Sequence, residues 1–347
     1  MAGLVAAARL RELGVPTEVL EKGDRAGGSM LLSSGVIWRH RSFEDFRAEC
    51  PGGDPDLQRV VWERLDGSLR WLEGLGAPVL EHETGNPRTV GRRFDPGGLT
   101  EALAYAAGEV RLGEPLVTLP DGPMVLATGG FAARYAADRG LLLRAAPWSG
   151  GDGLRLAGDR GAALTAGMDE FYGRALPGPV HEMLFVQAAQ LYGRHALRLD
   201  DSGLEFFPQE PSWSENDLVQ AIARLPGGRA WYVLDEKALA LRVRGRTVGE
   251  MVEAARAVRG TVVEAGELGY PGRIAVRVFA SVTHTIGGLR IDTDGRVVGQ
   301  DGAPIGGLYA CGVDVGGIAT GGYASGLAAA LVQGLAAAET VAAELSG

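Results

Sequence analysis

The first 21 residues impose the strongest constraint on the fold. Residues 1–13 (MAGLVAAARLREL) have helical periodicity, Gly14 follows as a helix stop, and residues 15–20 (VPTEVL) predict a strand that leads into Glu21. A dinucleotide-binding βαβ unit places a glycine early in its helix and an acid that binds a ribose hydroxyl after its second strand. Gly3 and Glu21 match these positions. The first strand and first two glycines of the motif are absent, so we expect the chain to begin inside it. An ordinary helix–strand pair fits this half motif at least as well.

A segment rich in small residues follows this acid directly. Its backbone N–H groups are suited to face a pyrophosphate or a flavin edge. The candidates are Gly27, Gly28, Ser29, Ser33, Ser34 and Gly35. The chain has 54 glycines, several of them in pairs, and for any single pair a simple turn is the alternative interpretation.

A second glycine-rich turn follows an apolar strand. Residues 123–131 (PMVLATGGF) predict a buried parallel strand that ends in Ala127, Thr128, Gly129 and Gly130. Open α/β sheets bind ligands beyond the carboxyl ends of their strands. These four residues are therefore candidate cofactor contacts.

The composition excludes several classes of partner. The formal net charge is −9 and no run of Lys or Arg occurs, which argues against nucleic acid. Two cysteines and five histidines show neither disulfide nor metal-ligand spacing. The most apolar stretch, residues 327–341, is interrupted by Gln333 and Glu339 and does not predict a membrane span. We expect a cytoplasmic enzyme without a metal.

Seven segments, taken in order, resemble the flavoprotein superfamily of soluble fumarate reductases, succinate dehydrogenase flavoprotein subunits and 3-ketosteroid dehydrogenases. They span almost the whole chain. They are AGL (2–4), VLEK (19–22), GGSMLLSSG (27–35), VLATGGF (125–131), GDGLRLA (151–157) with Gly161-Ala162, THTIGGLRID (283–292), and PIGGLYACGVDVGG (304–317) followed by GGYASGLAAALVQG (321–334).

The resemblance implies an α/β fold, in which a Rossmann-like FAD-binding domain is interrupted by a smaller α+β capping domain. The implied boundaries are 1–172 for the first part of the FAD domain, 173–281 for the cap and 282–347 for the second part. The implied cofactor is FAD. We expect it to be held non-covalently, because the GGSMLLSSG segment contains no histidine.

The same resemblance extends the set of cofactor contacts. The helix that starts near Ser325 would point its N-terminus at the flavin, where it stabilises negative charge on the reduced ring. The added residues are Ala2, Lys22, Asp152, Gly312, Asp314, Ser325, Gly326, Leu327 and Ala328.

Departures from the fumarate-type pattern guide the choice of substrate. Residues 203–210 read GLEFFPQE, with Glu205 in place of an arginine, and residues 319–326 read ATGGYASG without one. Two substrate carboxylates require cations. The GYASGL segment instead resembles the ketosteroid dehydrogenase branch, in which a tyrosine or backbone donor polarises a ketone, so Tyr323 is a catalytic candidate. His284, in the THTIGG motif, is the second, as a substrate-facing hydrogen-bonding or proton-relay group. A buried structural role is the alternative for His284.

The leading hypothesis is an FAD-dependent enzyme that moves a hydride to or from a C–C bond next to a carbonyl of an apolar compound. The alternatives are a fumarate reductase-like enzyme acting on an unsaturated carboxylate, and a non-catalytic flavin-binding or flavin-free protein. No motif identifies the electron partner, which we expect to be diffusible. The stretches 111–123 and 259–273 are short for the superfamily.

Overall fold

Helices and strands are mixed throughout the computed structural model, which describes residues 1–347. The helices are α1 (Ala2–Glu12), α2 (Phe43–Glu49), α3 (Pro55–Gly74), α4 (Pro96–Ala107), α5 (Ala132–Arg139), α6 (Asp152–Gly158), α7 (Phe185–Ala188), α8 (Asn216–Ala223), α9 (Glu236–Ala240), α10 (Val248–Ala257) and α11 (Gly326–Ser346). The strands are β1 (Val19–Glu21), β2 (Val36–His40), β3 (Val79–Glu81), β4 (Thr89–Phe94), β5 (Val110–Leu112), β6 (Met124–Leu126), β7 (Leu142–Leu143), β8 (Phe171–Leu176), β9 (Leu197–Leu199), β10 (Arg229–Leu234), β11 (Arg242–Val243), β12 (Arg246–Thr247), β13 (Val262–Glu264), β14 (Ile274–Thr285), β15 (Arg296–Val298) and β16 (Pro304–Ala310).

The chain folds as two compact units. Unit 1 comprises Met1–Ala132, Ala146–Glu170 and His284–Gly347, and unit 2 comprises Ala133–Ala145 and Phe171–Thr283. The segment Ala133–Ala145, which the sequence boundaries leave in the first domain, packs with unit 2. The reason is that β7 pairs with β14 and the ring of Tyr135 lies 5.5 Å from that of Phe171.

Parallel pairing organises the ligand-facing edge of unit 1. Strand β1 runs parallel to β5, and β6 runs parallel to β16, with Leu126 opposite Ala310. Strand β15 is antiparallel to β16, and β2, β4 and β3 form a separate antiparallel sheet. Because parallel strands end on the same side, the loops after β6 and β16 meet at one edge of their sheet.

Small residues allow helices α1 and α11 to pack closely in the core of unit 1. Seven of the eleven α1 residues are buried, four of them alanines. A Cβ built on Gly334 of α11 would lie 2.8 Å from the carbonyl oxygen of Ala2 and 3.1 Å from the Cβ of Val5. Glycine at this position therefore sets the distance between the two helices.

Helix α11 is long and apolar enough to cross a membrane by length and composition. In unit 1, however, 67% of its most apolar window is buried inside the structure. Its apolar character is accounted for by packing against the rest of this unit.

Unit 2 is built on one six-stranded sheet. The path β13-β14-β10-β9 is antiparallel, and β7 and β8 also pair with β14. All six residues of β8 are buried. Strands β11 and β12 form a small hairpin, and helices α7 to α10 belong to the same unit.

The two stretches that are short for the superfamily differ in structure. Residues 113–123 contain no helix or strand. Glu114 donates a hydrogen bond to the carbonyl of Glu21 in β1, and Gly113 donates to that of Gly23, just after this strand. Residues 259–273 contain β13 and a single helical turn.

A buried glutamine fixes the loop that leads into α11. Gln58 on α3 is fully buried; its Nε2 donates to the carbonyls of Cys50 (3.0 Å) and Ile318 (2.8 Å), and its Oε1 accepts from Arg47 (2.6 Å). The loop is thus held by a side chain that can both donate and accept.

We expect Gln58→Leu to lower the free energy of unfolding by about 1–3 kcal/mol, because the carbonyl of Ile318 loses its side-chain donor and Arg47 loses an acceptor. Urea unfolding followed by tryptophan fluorescence measures this. The matched control is Gln187→Leu, at an exposed position, which should change little. Equal stability of the two variants would contradict this role for Gln58.

Candidate cofactor site

The carboxylate of Asp314 holds together the loops that follow β6 and β16. Thr128 donates to it through both its backbone N–H and its hydroxyl (2.8 Å to Oδ1), and the N–H of Gly130 donates at 3.0 Å. The hydroxyl of Thr128 in turn accepts from the N–H of Gly153 on α6 at 3.0 Å. Asp314, a predicted cofactor contact, therefore positions the predicted 127–130 turn.

Burial dominates the electrostatics of Asp314. The carboxylate is inaccessible to solvent, and burial raises its pKa, while the hydrogen bonds from Thr128, Gly130 and Gly129 act in the opposite direction. Four donors on one carboxylate offset part of what desolvation costs, and burial remains the larger effect on the pKa. The turn is consequently rigid and its geometry is set by the protein.

Four predicted residues lie together where α1 begins. A Cβ built on Gly3 would be 3.2 Å from the Cβ of Ala127, and one built on Gly312 would be 2.8 Å from the Cβ of Ala2. The helix start therefore packs directly on the loops that follow β6 and β16. Close approach of this kind is what the late glycine of the dinucleotide motif provides.

The predicted acid and its neighbour lie at the end of β1. Glu21 accepts a hydrogen bond from the N–H of Gly23 (2.7 Å) and is partly exposed. Lys22 forms an ion pair with Asp152 at 2.7 Å, which joins β1 to the start of α6. Asp152 and Lys22 are both predicted cofactor contacts, and in this structure they bind each other.

Most of the small residues in segment 27–35 contact other parts of the protein, and one has free space beside it. The protein uses Gly27, which packs on Thr100; Ser29, which accepts from the N–H of Ala146 (3.0 Å); Ser33, which donates to the carbonyl of Met30 and accepts from Gly35; Ser34, whose carbonyl accepts from Arg93; and Gly35, which packs on the carbonyl of Phe94. Gly28 is different, because its φ is +52° and a Cβ built on it would have no neighbour within 4 Å.

The N-terminus of α11 carries the predicted catalytic histidine. Ser325 caps the helix by accepting from the N–H of Ala328 (3.3 Å), and Leu327 lies in the first turn. A Cβ built on Gly326 would be 3.1 Å from Cε1 of His284. The imidazole thus rests on the first residue of the helix, at its positive end.

Tyr323 lies in a different environment from His284. Its ring is 5.2 Å from that of Trp38, and its carbonyl accepts from Nε2 of His40 at 3.3 Å. Burial lowers the pKa of His40, and its ring stacks on Phe46. The structure therefore places Tyr323 at the rim of an aromatic cluster, just before α11.

A buried threonine next to His284 was not identified from the sequence. Thr285 is 2% exposed, and its hydroxyl has no hydrogen-bond partner. A Cβ built on Gly130 would lie 3.0 Å from this hydroxyl. The THTIGG segment drew attention to the histidine alone, and no sequence pattern reports an unsatisfied hydroxyl.

These residues fit a dinucleotide that carries a flavin. Gly28 and Gly129 have left-handed φ values (+52° and +88°) and open space where a side chain would be, with only the Cβ of Ser149 at 3.9 Å from the Gly129 position. Backbone of this kind can approach a ligand closely. The unpaired hydroxyl of Thr285 is a further donor and acceptor at the same turn.

A known protein family matches most of the chain. The model of the family described as FAD binding domain matches residues 1–121 and 117–327. The two matches meet inside the 111–123 stretch, where the superfamily normally has more residues.

The relatives belong to the expected superfamily. The NADH:fumarate oxidoreductase of Klebsiella pneumoniae (strain 342) is 23% identical over 428 residues, and the match covers 95% of this chain and 45% of the relative. The chain therefore spans less than half the length of this relative. The match is longer than the 347-residue chain, so the relative carries insertions within it.

Two solved structures share the fold. A flavocytochrome c3 fumarate reductase in its open conformation has a TM-score of 0.71 at 20% identity, with 99% of this chain and 76% of that chain covered. The 3-ketosteroid Δ1-dehydrogenase of Sterolibacterium denitrificans has a TM-score of 0.71 at 16% identity, with 99% and 98% covered.

These matches confirm the resemblance, the α/β fold class with a Rossmann-like FAD-binding domain interrupted by a smaller domain, and FAD as the cofactor. The chain belongs to the FAD binding domain family, with the fold shared by fumarate reductase and 3-ketosteroid dehydrogenase flavoproteins.

Proposed function

We propose that this protein is an FAD-dependent oxidoreductase that transfers a hydride to or from a C–C bond next to a carbonyl group, with an apolar enone or ketosteroid-like compound as substrate. In this proposal unit 1 is the FAD-binding domain and unit 2 is the capping domain. The proposed electron partner is diffusible, and the proposed location is cytoplasmic.

The proposed FAD contacts lie at three places in unit 1. Glu21, at the end of β1, is suited to bind ribose hydroxyls through its carboxylate. Gly28 and Gly129 offer open backbone to the cofactor without a covalent bond. The start of α11, from Ser325 to Ala328, would face the flavin ring. Asp314, Thr128 and Ser29 support these contacts from behind through their hydrogen bonds within the protein.

One observation carries the choice of reaction: the imidazole of His284 rests on Gly326, at the N-terminus of α11. A ring nitrogen and a helix N-terminus are neutral or partially positive donors, which suit the oxygen of a polarised carbonyl. The arginine on α2 is already committed, because Arg47 donates to the carbonyls of Gly53 and Pro51 and to Gln58. Two substrate carboxylates would require cations, and Arg47 is not free to supply one.

When bound, FAD would supply the hydride acceptor or donor. His284 would hold the carbonyl oxygen of the substrate and stabilise the negative charge that develops on it. The hydroxyl of Tyr323 would either donate a second hydrogen bond to this oxygen or carry the proton to or from the α-carbon of the substrate. The aromatic cluster of Trp38, His40 and Phe46 would exclude water on the side of Tyr323.

A second candidate is the reduction of an unsaturated carboxylate. It is favoured by the match to the NADH:fumarate oxidoreductase, which extends over 95% of this chain. Against it, the segment before α11 is bordered by a carboxylate, since Glu170 accepts from the N–H of Gly321 (2.8 Å). A negative group here repels a second carboxylate on the substrate.

Gly129→Val should weaken FAD binding by about tenfold or more, because the added side chain enters the space reserved for the cofactor. Fluorescence titration of the apoprotein with FAD measures the affinity. Gly76→Val is the matched control, because Gly76 has a similar φ of +83° with no neighbour within 4 Å. Both variants carry the same backbone strain. Equal FAD affinity in the two would show that Gly129 is an ordinary turn residue.

His284→Ala and Tyr323→Phe should each reduce turnover by about a hundredfold while the flavin spectrum stays unchanged, because each removes one donor from the reacting oxygen or carbon. The controls are His82→Ala and Tyr105→Phe, at exposed positions. Steady-state rates with an artificial electron acceptor decide the outcome. Full activity in either site variant removes that residue from the mechanism.

Enones should be turned over at least about tenfold more efficiently than fumarate, since an apolar site offers little to offset the desolvation of two carboxylates. Substrate screening in both directions, with an artificial acceptor and with chemically reduced flavin, compares kcat/KM without knowledge of the electron partner. Faster reduction of fumarate than of any enone would reverse the order of the two candidates.

A further inference from the structure

The hydroxyl of Thr285 is buried and unpaired at the turn proposed to contact FAD. The side chain is 2% exposed and Oγ1 has no hydrogen-bond partner in the protein. A Cβ built on Gly130 would lie 3.0 Å from this oxygen and 2.8 Å from the carbonyl oxygen of Val313. The hydroxyl therefore lies beside the loops after both β6 and β16.

A second feature connects this hydroxyl to the flavin side of the site. Thr285 ends β14 and directly follows His284, whose ring rests on Gly326 at the start of α11. Thr285 thus lies between the 127–130 turn and the helix N-terminus, the two places where we expect the cofactor.

A buried hydroxyl without a partner is uncommon, because it has lost its bonds to water without replacement. Most such groups in native proteins are satisfied by a ligand or an ordered water. Thr285 can both donate and accept, and the flavin ring carries carbonyl oxygens and ring nitrogens that are suited to either role.

We propose that Thr285 is a cofactor-contacting residue whose hydroxyl forms a hydrogen bond with the flavin ring of bound FAD. This inference rests on the proposed FAD site of unit 1 but not on the identity of the substrate. It predicts that the unpaired hydroxyl destabilises the apoprotein and that its hydrogen bond to the flavin stabilises the FAD complex.

Thr320 supplies a matched comparison. Its hydroxyl is also buried and unpaired, and the residue is 6% exposed. Its methyl group lies 3.0 Å from a Cβ built on Gly52 and 3.3 Å from one built on Gly167, whereas the hydroxyl of Thr285 lies beside Gly130. The two threonines share their chemistry and differ in position.

The experiment compares the full chain with the variants Thr285→Val, Thr285→Ser and Thr320→Val. FAD affinity is measured by titration of the apoprotein, and the thermal midpoint Tm is measured with and without FAD. We expect Thr285→Val to bind FAD about two- to tenfold more weakly, as for the loss of one hydrogen bond. Thr285→Ser should bind like the wild type, and Thr320→Val should leave the affinity unchanged.

The Tm values test for a purely structural role. Without FAD, Thr285→Val should have a Tm equal to or above that of the wild type, because it no longer buries an unpaired hydroxyl; the increase on adding FAD should be smaller. The flavin midpoint potential should also shift in this variant alone.

Three results would overturn the proposal: unchanged FAD affinity in Thr285→Val, an equal loss in Thr320→Val, or a full-length chain that binds no FAD. A loss of apoprotein stability in Thr285→Val with unchanged affinity would assign the hydroxyl to the fold. Because none of these readouts uses turnover, failure of the enone assignment would leave them unaffected.

Discussion

The buried carboxylate of Asp314 is the interaction on which the candidate site depends. It accepts hydrogen bonds from Thr128 and Gly130, and so joins the loops that follow two parallel strands. A charge inaccessible to solvent is costly, and only several well-placed donors make it tolerable. Without this carboxylate the backbone N–H groups of the turn would be unpaired. The open face of Gly129 exists because the other face of the same turn is held by Asp314.

Helix α11 connects this turn to the proposed chemistry. Its small residues allow α1 to pack against it, with Gly334 close to Ala2, and the start of α1 packs in turn on the loops after β6 and β16. At its N-terminus, Gly326 leaves room for the imidazole of His284. The same helix thereby positions the core, the start of α1 and the histidine. A change in the packing of α11 would therefore alter the geometry of the candidate site as well as the stability of the fold.

The small residues of segment 27–35 have two roles: some make contacts within the protein, and one leaves its backbone accessible. Ser29 and Ser33 use their hydroxyls within the protein, and Gly35 lets the chain pass the carbonyl of Phe94. Gly28 alone faces open space. The protein-facing residues shape the segment, and that shape exposes the backbone of Gly28. The proposed substrate class depends likewise on where side chains are placed: His284 lies at a helix N-terminus, and Arg47 already donates to two carbonyls and to Gln58.

The sequence by itself determined the family, the cofactor and a few elements near the site, because glycine turns, strand ends and the helix of residues 2–12 are encoded by local patterns. It also identified Asp314 and His284 by their motifs. Only the tertiary structure decided what these residues touch. Asp314 accepts a hydrogen bond from Gly130, which precedes it by 184 residues. Lys22 forms an ion pair with Asp152, and the hydroxyl of Thr285 has no hydrogen-bond partner. The placement of 133–145 with unit 2 arose in the same way, from pairing between β7 and β14. Such contacts join residues far apart in the chain, and no local periodicity or spacing records which polar atoms a fold leaves satisfied.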